Sequence, residues 1–212
     1  MKEKNIKWTV TITAILILLI LIWYSFIVDI KAFITDHVIF IFLIIFFHKT
    51  YEHWRLTPFI YSFMALALLL HSYGSFGWYG TSPLFIPWER ITHFIGIMPF
   101  TLLFFSYLIP HFDNKFNTQK NWTLLIMIFL TVIGLGAIVE MSEFLGFLTF
   151  GNGDGFLMFG DGDGILGKAG VELLDAYGAG WFNASWDMIT NSMGVLTMLI
   201  LASISHWRKR VK

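Results

Sequence analysis

The sequence predicts an all-α protein of the membrane, a polytopic helical bundle of about six transmembrane helices in one integral-membrane domain, residues 1–212. Three observations predict it. Hydrophobic residues make up 57% of the chain and charged ones only 13%, where a soluble domain carries about a quarter charged residues. Apolar segments recur along the chain, most of them near the ~20 residues that cross a hydrocarbon core of ~30 Å. The basic residues gather on alternate sides of those segments. No cysteine is present, which excludes disulfides and thiolate metal sites.

In order, the first span covers 8–28. Its apolar run is near 20 residues, longer than the 7–15 of a signal peptide, and no small-residue cleavage pattern follows, so a retained helix is expected. The second, 34–47, is short, rich in aromatics and entered through Asp36 and His37. The third covers 58–73 behind Pro58, the fourth 88–109, the fifth 122–147, and the sixth 186–207. A Gly/Asp-rich outer loop, 149–185, joins the last two, and within it Ala169 to Tyr177 is expected as a short amphipathic helix lying on the outer surface over the polar residues of the last spans.

Six spans place both termini on one side, and the charges say which. Eleven Lys and Arg (Lys2, Lys4, Lys7, Lys49, Arg55, Lys115, Lys120, Arg208, Lys209, Arg210, Lys212) fall on the terminal side, against three (Lys31, Arg90, Lys168) on the other. Positive charge is retained in the cytoplasm. Cytoplasmic termini in a cell membrane are therefore expected. Trp8, Trp54, Trp122 and Trp207 fall at the inner ends and Trp23, Trp78, Trp88, Trp181 and Trp186 at the outer ends, where aromatic belts sit.

That topology gathers the polar residues of the last three spans in one outer layer. Glu89 and His93 are stacked at i, i+4, and Glu140 and Glu143 lie about 27 and 31 Å above Trp122 along the fifth helix. Asp187 opens the sixth, with Asn191 about 6 Å deeper. Asp36, His37 and His71 reach the same level, while the inner half has almost nothing comparable. Lone histidines such as His71 and His53 read as core or interfacial residues. Ionisable groups in a bilayer are costly and pair in the bundle interior. Four carboxylates, Glu89, Glu140, Glu143 and Asp187, face one arginine and one histidine, and that excess calls for protons or a cation.

Three readings stay open. One is an interhelical polar network that only fixes packing, Arg90 neutralising a glutamate. Another is catalysis by Glu140, Glu143, Asp187 and His93, the same four holding a divalent metal ion. The last is an outward pocket in which Arg90, Glu89 and Asn191 bind substrate, or in which the acids relay protons or cations. In the loop, GNGDGFL and GDGDGIL repeat nine residues apart, and Asp154, Asp161 and Asp163 are candidate calcium ligands; a plain turn pair is the alternative. Gly134, Gly136 and Gly194 permit close helix approach. The partners expected are the lipid bilayer and a lipid or cell-envelope ligand, with no nucleic acid.

Trp88-Glu89-Arg90-x-x-His93-Phe94, then Glu140-x-x-Glu143-Phe144, then Asn183-x-x-Trp186-Asp187-Met188 resembles the YjdF-type multi-pass membrane proteins over roughly Trp88 to Ile200. More distantly, His-Phe, a membrane glutamate and Asp-x-x-x-Asn-x-x-Gly are similar to VanZ-like proteins, which are linked to glycopeptide-antibiotic tolerance. Glu89 stands where the YjdF-type pattern has an aspartate more often, and the Gly/Asp insertion departs from it. The resemblance implies an envelope-associated membrane protein and assigns no reaction.

Overall fold

The computed structural model describes residues 3–28, 34–79, 82–150 and 171–208, all helix and connecting turns. Its α-helices are α1 (Glu3–Ile27), α2 (Ile34–Lys49), α3 (Pro58–Tyr73), α4 (Trp88–Leu108), α5 (Gln119–Phe150) and α6 (Val171–Arg208). Five stretches are long and apolar enough to cross a membrane: Glu3–Ile27, Pro58–Trp78, Trp88–His111, Gln119–Leu145 and Trp181–Arg208. The 16 residues of α2 span only about 24 Å.

Two expectations are corrected. Residues 171–177 are not a separate surface helix, because α6 runs unbroken from Val171. Gly178 and Gly180 weaken a helix by about 1 kcal/mol each but remove no backbone donor, and no proline interrupts them. Of the expected loop 149–185, residues 149–150 therefore end α5 and 171–185 belong to α6. Residues 151–170, with Asp154, Asp161 and Asp163, lie outside the described residues.

Local chemistry sets several boundaries. The Thr57 hydroxyl accepts from the Ile60 amide at 3.2 Å, and Pro58 follows in the first turn, so α3 begins where its missing N–H is harmless. Its far end widens into a π-type turn over Gly74–Trp78, where Gly77 takes φ 105°, a conformation that favours glycine. Between α4 and α5 the fully buried Asn121 replaces a missing ladder. Its amide donates to the carbonyls of Asp113, Lys115 and Phe116 at 3.2, 2.7 and 3.3 Å, and its oxygen accepts from Asp113 N at 2.8 Å.

Pairwise contacts define the direction of each helix. Thr11 meets His48 and Tyr61 at 2.7 Å each, while Tyr24 stacks near Phe76, so α1 runs against α2 and alongside α3. Trp88 Nε1 donates to Leu70 O and Ser106 Oγ to Arg55 O, so α4 runs against α3. Trp207 lies on Phe105 at one end and Asp187 on His93 at the other, which makes α4 and α6 parallel, with α5 against both. The helices alternate in direction throughout. Apolar cores centre on Leu18 and Ile44 among α1–α3, Tyr61 and Leu103 across α3 and α4, and Ile128, Val132 and Val195 among α4–α6.

The end that carries both chain termini is less apolar than expected. Thr11, His48 and Tyr61 form a buried hydrogen-bonded trio there, and Tyr61 also donates to Ile44 O at 3.2 Å. The tryptophans divide as well. Trp8, Trp23, Trp122 and Trp181 are exposed as a belt requires, whereas Trp88 and Trp207 are buried and donate to backbone carbonyls.

Candidate functional site

The opposite end gathers the polar residues, and the α4–α6 crossing positions them. A Cβ added to Gly194 would lie 2.4 Å from Phe94 O and 2.6 Å from Ile97 Cγ2, so the two backbones touch where only glycine fits. Asp187 lies two turns earlier on the same face of α6 and His93 one residue before Phe94 on α4. The close approach at Gly194 thus brings Asp187 to the His93 ring. Asn191, one turn below Asp187, packs its amide against Gly136 of α5 and neighbours the His93 ring, and is itself buried.

His93 is the hub. Its Nδ1 lies 3.2 Å from Glu140 Oε1 and its Nε2 3.8 Å from Asp187 Oδ1, with Glu140 and Asp187 only 4% and 1% exposed. One ligand atom each from Glu89, His93 and Asp187 lies within 4.8 Å of the others. Asp187 Oδ2 is buried and has no hydrogen-bond partner among the described residues. Glu89 Oε1 accepts from Asn183 Nδ2 at 2.9 Å, which ties the start of α4 to α6. Arg90 forms no ion pair among the described residues; its guanidinium lies 4.6 Å from the Trp186 ring centroid, near enough to Asp187 for its charge to act there. Among the described residues no glutamate pairs with Arg90. Glu143 is partly buried and has Glu140, Asp36, Glu89 and Asp187 as charged neighbours, outside the close trio.

A second string of polar groups continues across α3 and α2. His71 Nε2 lies 3.2 Å from Asp36 Oδ2, and His71 Nδ1 lies 2.8 Å from Tyr79 Oη, which in turn neighbours Thr92 on α4. Asp36 and His37 are fully buried. Tyr79 lies beyond the end of its span, and burial holds its phenol pKa well above the usual value, so it remains a donor. His71, expected as a core or interfacial residue, thus has a polar partner at each ring nitrogen, Asp36 and Tyr79. Tyr79 and Thr92 carry no signal in the sequence beyond their type; the level of Asp36, His37 and His71 was the available clue.

Chemically the arrangement can hold a cation between imidazole and carboxylates, pass a proton along hydrogen-bonded groups, or present Arg90 to an anion. No curated protein and no solved structure matches the chain. A family model described as predicted membrane protein, DUF2238, matches residues 9–208. With nearly its whole length covered, and with apolar helices to match that description, the chain belongs to the DUF2238 family of membrane proteins.

Proposed function

We propose that the chain crosses a cell membrane six times with both termini cytoplasmic, and that the acid, histidine and arginine cluster is an outer-leaflet binding site for the anionic headgroup of a lipid-linked or cell-surface substrate, which the protein binds or processes. The six-span count is supported by α2. It runs antiparallel between two parallel helices that are each long enough to cross, from Asp36, paired with His71, down to His48, paired with Thr11. The excess of basic residues at the terminal end supports the orientation. The resemblance to YjdF-type and VanZ-like proteins supports an envelope role.

The observation that carries the reading is the contrast between two neighbours. Among the described residues, Asp187 buries a carboxylate oxygen without a hydrogen-bond partner, while Arg90 beside it lies on Trp186 and forms no ion pair. A network built only for packing would join them, since an uncompensated buried charge costs several kcal/mol. Arg90 is therefore the anion-binding group, with Glu89 and Asn191 shaping the pocket and Glu140, Glu143, Asp187 and His93 available for proton transfer.

Phosphatidylglycerol titrated into protein in micelles tests it. Arg90→Ala should weaken binding about tenfold or more, the loss of one charge-assisted contact at 1.4 kcal/mol or above, with helix content unchanged. Equal affinity of variant and parent would refute headgroup binding. A second reading, a proton or cation relay, is favoured by the string Asp36, His71, Tyr79 and Thr92. Flux into proteoliposomes that Tyr79→Phe removes, with phosphatidylglycerol binding intact, would select it.

A further inference from the structure

We infer that the cluster is a binding site for a divalent first-row transition cation, of the zinc or manganese class, with Glu89, His93 Nε2 and Asp187 as protein ligands and Glu140 orienting the imidazole. The inference rests on the reading of this cluster as a binding site and names the ion it holds.

Geometry comes first. Ligand atoms of the three residues already lie within 4.8 Å of one another. Around an ion bound at about 2.0–2.2 Å they would be roughly 3.4 Å apart, so side-chain rotation of about an ångström closes the set. Rotating side chains suffices because Glu89 and His93 lie one turn apart on α4 and Asp187 faces them from α6.

The environment of His93 gives the second argument. Metal-bound imidazoles commonly present one nitrogen to the ion and the other to a carboxylate, which sets the tautomer and the ring plane. Here Nδ1 lies 3.2 Å from Glu140 Oε1, within reach though outside hydrogen-bond geometry, and Nε2 lies 3.8 Å from Asp187 Oδ1. A histidine used only as packing would not need a carboxylate at both nitrogens.

The third observation is independent of the clustering. Asp187 is 1% exposed, and its Oδ2 has no hydrogen-bond partner among the described residues. A buried carboxylate oxygen requires a proton or a cation. Arg90 lies on Trp186 and forms no ion pair with Asp187 among the described residues, so its charge acts there only from a distance.

Ligand type selects the ion. One imidazole with two carboxylates suits zinc or manganese, whereas calcium takes six or more oxygens and magnesium few protein ligands at all. Three protein ligands leave at least one coordination position open, as in metal sites that act on a substrate, and Arg90 lies beside it to receive an anionic group.

The test uses the full chain in micelles, stripped with a chelator and dialysed against zinc chloride, then manganese chloride, with bound metal measured by mass spectrometry and folding by far-ultraviolet circular dichroism. A single equivalent is expected for the parent protein and for Glu52→Gln, an exposed control. Asp187→Asn and Glu89→Gln should lose it, and Glu140→Gln should weaken it about 10–100-fold. Glu89 is only partly buried at a helix start, so its variant keeps the test valid if Asp187→Asn does not fold. Absence of stoichiometric metal in the folded parent, or unchanged uptake by Glu89→Gln, would overturn the inference. Phosphatidylglycerol binding separates the two claims. No metal with Arg90-dependent binding intact overturns the ion alone, and metal bound with binding indifferent to Arg90→Ala overturns the headgroup alone.

Discussion

Gly194→Ala is the sharpest probe of how α4 and α6 bring the polar cluster together. The added Cβ would lie 2.4 Å from Phe94 O and 2.6 Å from Ile97 Cγ2, against an ordinary contact of 3.4–4 Å. Neither the backbone oxygen nor the branched carbon of a buried isoleucine gives way easily, so α6 must retreat by about 1 Å. A gap of that size forfeits a quarter to a half of the attraction at neighbouring contacts, and overpacking of this kind costs about 1–3 kcal/mol. The unfolding equilibrium should shift roughly 5- to 150-fold toward the unfolded form. Unfolding by sodium dodecyl sulfate in mixed micelles, followed by circular dichroism, measures it. Gly134→Ala is the internal control, because a Cβ there meets nothing within 4 Å, and it should be neutral or gain up to about 1 kcal/mol from helix propensity. Equal stability of the two variants would refute the close approach, and with it the account of how Asp187 reaches His93.

Three further outcomes follow from the same contacts. Thr57→Ala should lower stability by about 1 kcal/mol in the same assay, with Thr57→Asn near the parent, because only the cap to Ile60 N is lost. Asn121→Ala should lose about 1–3 kcal/mol and expose the 113–117 turn to proteolysis, since the Lys115 carbonyl loses its donor and the Asp113 amide its acceptor, while Asp113 O and Phe116 O keep Trp207 Nε1 and Thr118 N. Cysteines introduced at Phe85 and Lys115, in a chain that has none of its own, should react from opposite sides in whole cells, Phe85→Cys with an impermeant maleimide and Lys115→Cys only after permeabilisation; the reverse labelling would invert the proposed orientation.

Much of the fold was legible because apolar length is a property of single segments. The third helix matches residue for residue, since Thr57-Pro58 marks its start and Gly74 its end. The start of α6 was not legible, because two glycines look like a break while a surrounding helix tolerates them. The site was half legible. Spacing at i, i+3 or i+4 tells which face of one helix a residue occupies, but not which gap between helices that face meets. Glu89 rather than Glu143 therefore joins His93 and Asp187, and Glu140 lies against the other ring nitrogen. Thr11, His48 and Tyr61 went unnoticed for the same reason: each is a single polar residue on its own helix, and only packing makes them a trio.

The short second helix bears on the bilayer itself. At 16 residues, α2 is about 24 Å long, against a hydrocarbon layer near 30 Å, and its first turn already carries Asp36 in contact with His71. Lipid beside a crossing helix that is too short thins to match it. In the proposed six-span orientation, the outer headgroups on this side of the bundle would sink by several ångströms, toward the level of Asp36, Tyr79 and Glu143. The bilayer, deformed by its own passenger, would then deliver polar headgroups to the acidic layer without any side chain having to move.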